Sequence, residues 1–539
     1  VSITIKPPCD EAIIECVPAA TLTQKVNGKW VLAATILGSS MAFIDGTVVN
    51  VALPTLQKDL QASVAEVQWV VEAYSLLLSA LILVGGSLGD HFGRKRIYAI
   101  GVVVFTLASV ACGLAPNVLI LIIARAVQGI GGALLVPGSL AIISAAFGGE
   151  ERGRAIGTWS GFTSITSAFG PALGGWLIDN ISWRAIFFLN LLLAVPVLII
   201  VALRVPESRN PQARGLDWWG AILATVGLGG VVYGLIEAGS KSLGDPVVLL
   251  ALAIGVIGLA LFVVVEARSR SPMMPLALFR SRTFSGTNLL TLLLYGALGG
   301  VLFFVPFNLI QVQGYSPTEA GFVFLPFILI MFTLSRWSGG LVGRYGAKLP
   351  LIIGPVIAAI GFGLYAVPGI GGSYWLTYFP AIVVLGLGMA ITVAPLTTAV
   401  MNAVEVSNSG VASGVNNAVS RVAGLLAIAV FGILMVNFFS SSLDNRLSTV
   451  PVSPQVRQSV AQQHDKLAQI ELPKNLSVAE QAALKQAIGE AFVDSFRLIM
   501  LIGAAMAALS AVAAFGLVEG KKAGAPVASR ASTPPEKIS

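Results

Sequence analysis

The sequence predicts an all-α polytopic membrane protein of fourteen spans: two six-helix halves with two further helices between them. Three observations carry this. Of 539 residues, 56% are hydrophobic and 11% charged, against roughly 25% charged in a soluble domain. Apolar runs near twenty residues, long enough to cross a ~30 Å hydrocarbon core as a helix, recur throughout the chain. Short motifs also repeat in order at a nearly constant offset. Gly153–Gly157, G-x-A-x-G, returns as Gly410–Gly414, and GIGGALLV from Gly129 returns as GLGMAITV from Gly386, both 257 residues on. GSLGDHFGRK from Gly86 has a weaker echo in GLVGRYGAK from Gly340. Repeated halves of this kind place a substrate path at their interface near the bilayer midplane.

The first half, 30–205, holds spans at about 30–54, 67–89, 97–115, 118–140, 154–178 and 184–203. A polar, Pro-containing segment, ESRNPQARG, leads to two additional helices, about 217–238 and 246–266, and a basic connector closes this 206–283 region. The second half, 284–518, has spans at about 284–310, 318–341, 349–368, 375–400, 410–436 and 491–517. The 58 glycines and 27 prolines lie largely inside these runs, where small residues let helices pack closely and neighbours re-satisfy a bent backbone. Between the last two spans, residues 437–490 form an outward loop. It carries two helix-forming stretches, and the second opens with a capping box, Ser477 to Glu480. We read it as a surface cover, with a docking site for an envelope adaptor protein as the sharper alternative.

Lysine and arginine orient the chain. Arg94, Lys95, Arg96, Arg152, Arg154, Arg204, Arg209, Arg214, Arg268, Arg270, Arg280, Arg282, Arg344 and Lys348 fall on one side, and only Lys58, Arg184 and Lys241 occupy the short loops opposite. The first side is expected in the cytoplasm of a cell (inner) membrane protein, with the tails 1–29 and 519–539 both there. The net charge of +7 is therefore topogenic rather than a nucleic-acid surface. Three cysteines and two histidines show no metal or disulfide spacing. No nucleophile-base pair appears, and GLIEAGSKS from Gly234 lacks the Gly-Lys of a phosphate loop. Neither an enzyme nor a cofactor is expected.

Charges inside spans are expensive, about 2.5–3.5 kcal/mol on insertion scales, and point to function. Asp45 lies about fifteen residues, or ~22 Å, into the first span. The second span carries a polar stripe of Gln68, Glu72, Ser75 and Ser79, and the fourth presents Arg125, Gln128 and Gly132 on one face. Depth counting puts Asp45, Glu72 and Arg125 in one layer, with Asp45 as proton carrier, Arg125 setting its affinity and Glu72 in reserve. Arg421, with Asn417 a turn before it, is a further buried charge, and its alternative role is helix–helix hydrogen bonding. Asp494 and Arg497 are expected simply to pair. Trp69, Gln128, Tyr295, Phe303 and Phe304 are candidate substrate contacts, and the aromatics among them equally suit core or lipid-facing positions.

GSLGDHFGRKR, from Gly86 to Arg96, resembles the loop signature between the second and third helices of the major facilitator superfamily. FIDGTVVNVALP in the first span, RAVQGIGGA from Arg125 and GFTSITSAFGPALGG from Gly161 are similar to motifs of its fourteen-span drug:proton antiporter branch, the EmrB/QacA type. The resemblance implies a proton-coupled multidrug efflux antiporter working by alternating access on amphipathic or cationic toxic compounds. It makes Gly86, Asp90, Gly93 and Arg94 a gating loop, with Asp90 meeting the start of the helix near Gly410. It makes Gly161, Gly170, Pro171, Gly174 and Gly175 the antiporter motif. In the second half Gly343 stands where the first copy has Asp90. An exporter of an endogenous lipid or metabolite, or a non-transporting membrane sensor, are the competing readings.

Overall fold

A computed structural model describes residues 28–209, 217–269, 272–405, 409–473 and 475–520. The N-terminal tail with Cys9 and Cys16, most of the linker after Arg209, and nearly all of the C-terminal tail lie outside these. The described residues form helices and connecting turns, with no strand among them. In chain order the helices of the first half are α1 (Gly28–Asp59), α2 (Val64–Phe92), α3 (Arg94–Leu114), α4 (Val118–Ala146), α5 (Gly149–Asn180) and α6 (Ala185–Arg204). The additional pair is α7 (Trp218–Ser240) and α8 (Pro246–Arg268). The second half comprises α9 (Arg282–Phe307), α10 (Pro317–Val323), α11 (Leu325–Tyr345), α12 (Lys348–Tyr365), α13 (Tyr378–Asn402), α14 (Ser409–Leu447), α15 (Pro454–Ala461) and α16 (Val478–Leu517).

Thirteen described helical segments are long and apolar enough to cross a membrane. The fourteenth expected span is α5, whose 32 residues make a full crossing length but are rich in Gly, Ser and Thr. Local chemistry sets many of the ends. Ser63 and Glu66 form a capping box at α2, Asn117 accepts from the Ile120 amide at α4, and Asp217 and Asp245 cap α7 and α8. The span expected at 318–341 is two helices, broken at Phe324, and Pro326 in the first turn of the second has no amide to bond back into the first.

The expected 437–490 loop is largely helix. α14 and α16 run to 39 and 40 residues, about 60 Å each and so roughly twice the hydrocarbon thickness. Beyond the membrane they pack on Phe439, Leu443 and Leu447 against Leu484 and Ile488, all buried. Arg446 ties the two together, pairing with Glu490 and, at 2.7 Å, with Asp494. The expected Asp494–Arg497 contact is the longer one, at 4.0 Å. The Ser477–Glu480 capping box forms as the sequence indicates. α15 and the turn His464–Gln469 fold back as a cover, with Leu467 in the core.

At the end opposite the Arg94–Arg96 loop the two halves meet. Gln57 of α1 bonds Gln311 at 2.8 Å and the Lys466 carbonyl at 3.3 Å. Asp179 at the end of α5 accepts from the Thr318 amide at 2.8 Å and from its hydroxyl. Gln68 of α2 donates to the Ile428 carbonyl of α14 at 2.8 Å. A Cβ added at Gly175 would fall on the Pro317 carbonyl, and one at Gly321 on that of Pro171. Toward the basic end the same helix, α5, has open space: nothing lies within 4 Å of a Cβ added at Gly157 or Gly161, nor at Gly339 or Gly340 of α11. The halves are thus sealed at one end and diverge at the other. Gly175→Leu is expected to lower the protein's stability in detergent by about 1–3 kcal/mol through overpacking, and Gly157→Leu to leave it within about 0.5 kcal/mol. Thermal unfolding of the two variants checks this, and equal melting curves would contradict the close α5–α10 approach.

Candidate functional site

α1, α3, α4 and α6 enclose a buried polar network around Asp45. Asp45 and Arg125 are each 1% exposed, and the guanidinium Nη1 donates to Asp45 Oδ2 at 2.5 Å. The other carboxylate oxygen accepts from Gln128 Nε2 at 2.8 Å and, at 3.4 Å, from Asn190 Nδ2. Arg125 also donates to Gln128 Oε1 at 2.9 Å and through Nε to the Val70 carbonyl at 3.0 Å, and it lies 4.3 Å over the Tyr74 ring. Asn190 donates to Ser109, which donates to the Phe187 carbonyl, and the Cys112 thiol points at Gln128. Arg125 and Gln128 reach one carboxylate because they sit three residues apart on α4, on a single face.

The arrangement holds a buried ion pair with both carboxylate oxygens occupied. That is the condition under which two charges survive in a low-dielectric interior. Chemically it can store or release one proton: protonating Asp45 leaves Arg125 without its counter-charge, and the site then favours any rearrangement that brings water or another anion to the guanidinium. Glu72 is not part of this network. It is buried but points away from Val70 and Tyr74, the α2 positions that touch Arg125, and neither of its oxygens has a partner among the described residues.

The remaining sequence candidates fall into three places. Gln128 belongs to the Asp45 network. Phe303 and Phe304 are 1% and 0% exposed and pack with Phe307 inside the second half, ring centroids 4.9–6.2 Å apart. Trp69 packs its ring at a tilt against Tyr233 of α7, centroids 5.9 Å apart, and Tyr295 is half-buried against the core. Arg421 is half-buried and has no hydrogen bond or ion pair among the described residues. The helix–helix bonds beside it come from Asn416, which donates to Asn288 and Thr291 of α9 at 3.2 and 2.8 Å, whereas Asn417 is exposed.

In the loop motif, Arg94 Nε donates to Asp90 at 2.8 Å and Nη1 to the Ala141 carbonyl at 3.4 Å. Gly93 turns the chain between α2 and α3 at φ 111°, a region that favours glycine. Glu207, just past α6, accepts from the Lys95 and Arg96 amides at 3.0 and 3.2 Å, and so places an anion on the N-terminus of α3. Gly86 packs beside Pro137. The contact expected between Asp90 and the helix start near Gly410 falls on a stretch whose residues 406–408 are outside those described. In the antiporter motif, Gly170 and Gly174 lie against Thr47 and Val48 of α1, while Pro171 and Gly175 meet α10.

Sequence reasoning missed Asn190, Ser109 and Glu207. A lone Asn in the apolar run FFLNLLLAV was the available signal for the first.

The family model described as Major Facilitator Superfamily matches residues 35–428. The chain belongs to the major facilitator superfamily. It is 37% identical over 437 residues to the multidrug resistance protein Stp of Mycobacterium tuberculosis (strain CDC 1551 / Oshkosh), covering 80% of each chain. It is 35% identical over 413 residues to the tetracenomycin C resistance and export protein of Streptomyces glaucescens, covering 75% of this chain and 76% of that one. Among solved structures it resembles a bacterial homologue of the human lysosomal transporter Spinster, with a TM-score of 0.63 at 16% identity over 91% of this chain and 97% of that one. Members of this superfamily are transporters rather than enzymes.

Breaking the ion pair of this superfamily member from one side is expected to cost about 3–5 kcal/mol, because it strands a buried charge. Arg125→Leu should therefore melt well below the double variant Asp45→Asn/Arg125→Gln, in which no charge is left unpaired. Detergent unfolding of the set decides it, and a double variant less stable than Arg125→Leu would show that the charges are not paired in solution.

Proposed function

We propose that the protein is a proton-coupled antiporter that exports small toxic molecules by alternating access, and that Asp45 carries the coupled proton under control of Arg125. The observation that carries this is the fully buried Asp45–Arg125 pair in the core of one transporter half. The resistance and export relatives support the substrate class. The proposed orientation puts the basic loops and both termini in the cytoplasm, with the cover of α15 outside. The structure then corresponds to a carrier sealed outside and open to the cytoplasm, ready to take substrate from within.

One cycle follows from charge. A proton reaching Asp45 from outside neutralises the carboxylate and frees Arg125. Opening to the cytoplasm hydrates the site, the proton leaves, and the pair reforms. The driving force is ample, since one charge crossing 100 mV contributes about 2.3 kcal/mol before any pH gradient. With Asp45 already neutralised by Arg125, Arg421 is a half-buried charge inside a span with no hydrogen bond or ion pair among the described residues. Neutral and anionic amphipathic compounds therefore belong in any substrate panel beside the lipophilic cations.

Two experiments test this reading. In inverted vesicles, adding substrate should dissipate a pre-formed pH gradient, and Asp45→Asn should abolish gradient-driven uptake while binding of a neutral compound persists. Coupled uptake by Asp45→Asn would move the proton site elsewhere. For orientation, cysteines placed at Arg94 and Lys348 should resist impermeant reagents applied to whole cells while one at Gln458 reacts, and the reverse pattern would invert the topology.

A further inference from the structure

We propose that Glu72 is a second proton-binding site, loaded from the end opposite the basic loops through a small cavity at the junction of α2, α7 and α14. The proposal deepens the alternating-access reading and rests on it, since it requires the seam between α2 and α14 to part.

The site is built from two independent features. The first is the carboxyl group itself, 0% exposed with both oxygens unpartnered among the described residues. Glu72 shares a helix face with Trp69 and Leu76, and both belong to an apolar cluster with Leu228, Val232 and Ile236 of α7 and Leu425 and Ala429 of α14. An unpaired ion buried in such surroundings costs several kcal/mol even after relaxation, while a neutral acid costs much less. Glu72 therefore enters the closed seam with a proton attached.

The second feature is a cavity of about 50 Å³ at the mouth of the same seam, lined by Ser63, Gln68, Ile236, Gly239, Gly432 and Asp465 among others. It has room and polar partners for a short file of waters. Gln68, one turn from Glu72 on α2, forms its inner wall and crosses to the Ile428 carbonyl. The titratable groups on the packed elements are Tyr233 and Glu237 of α7, Arg421 of α14 and Asp465 of the cover. Tyr233 packs against Trp69, and Glu237 is paired with Lys241 at 2.8 Å. None of the four bonds to Glu72 among the described residues. On the opposite face of α2, Arg125 is committed to Asp45.

The chemistry is one O–H bond. A proton from the outer solution binds a Glu72 oxygen as the seam closes, and it returns to the same solution when α2 and α14 separate and water reaches the carboxylate. It is not carried across, so it adds nothing to the transported charge. It does tie the conformational equilibrium to external pH, with acid favouring the sealed form that accepts substrate from within. Linkage to a single proton changes the sealed-to-open ratio by about tenfold per pH unit across the titration.

The test needs neither substrate nor gradient. The full chain, with Cys9 and Cys16 replaced by Ser, is placed in lipid nanodiscs with nitroxides at Lys58 and Asn445, exposed positions on the two halves. Distances between them are then measured as pH is raised. The parent protein should shift from the short, sealed distance in acid toward the long one in base. Glu72→Gln, which keeps the shape of the neutral acid, should stay sealed throughout, and Asp45→Asn should still titrate. A Glu72→Gln protein that titrates like the parent, or loss of the titration in Asp45→Asn instead, overturns the proposal. Gly239→Leu, which fills the cavity, should slow the response to an acid jump without moving its end point, and an unchanged rate overturns the entry route. Absence of gradient-driven transport by a parent protein whose seam still titrates would sink the exporter reading and leave the Glu72 site standing.

Discussion

A carboxylate in the middle of an apolar helix must have its charge answered, and the first half of this protein is arranged around that requirement. Asp45 is met by a guanidinium on one oxygen and two amides on the other. Those partners come from α4 and α6, and Ser109 and Cys112 of α3 complete the ring. Four helices are tied by one network, in which removing a member leaves another buried group unsatisfied at a cost of about 1–3 kcal/mol, more where it is charged. That makes the half a rigid body. The corresponding bonds in the second half, from Asn416 to Asn288 and Thr291, are uncharged, so of these two networks the charged one belongs to the first half.

How much of this was legible in the sequence depends on whether the information was local. Asp45, Arg125 and Gln128 declare themselves because a charge or amide inside an apolar run is rare and three-residue spacing fixes a shared face. Glu72 was equally conspicuous as a charge inside an apolar run. Its direction was not, because the rotation of α2 about its axis is decided by packing against α4, α7 and α14 and not by α2 alone. Trp69 turns to α7 for the same reason. Phe303 and Phe304 were ambiguous between cavity and core until their edge-to-face contact inside the second half was visible. Glu207 and Arg446 lie at loop and helix ends, where hydropathy says nothing and only the fold brings their partners near.

The long outer ends of α14 and α16 are a further case. A span-length rule stops a helix where polar residues begin, yet Phe439, Leu443 and Leu447 keep a helical period beyond that point and pack against Leu484 and Ile488. The apolar stripe, not the membrane, carries the helix onward. The same stripe logic places α7 and α8. Their glycines, Gly227 and Gly230 against Gly255 and Gly258, bring the two backbones into contact, leaving α8 largely exposed to lipid and α7 pressed into the groove between α2 and α14. An added helix pair could have been attached anywhere on the periphery. This one covers the seam that must open.

That seam differs in kind from the core behind it. It is held by Gln57 with Gln311, Asp179 with Thr318, Gln68 with a carbonyl, and the close approach of small residues in α5 and α10. Each neutral hydrogen bond nets about 0.5–1.5 kcal/mol, and water can replace it when the halves separate. The Asp45 network has no such substitute while it stays dry. A carrier has to part its two halves in every cycle while each half keeps its own helices together, and the distribution of charge here meets that need: full charges pair within a half, and the contacts between halves are mostly amides, hydroxyls and glycines. Glu72 differs from Asp179, which is hydrogen-bonded to Thr318: it is an ionisable group set in the part that opens with neither oxygen partnered among the described residues. At that position a single proton decides whether closing the seam buries a neutral group or an ion.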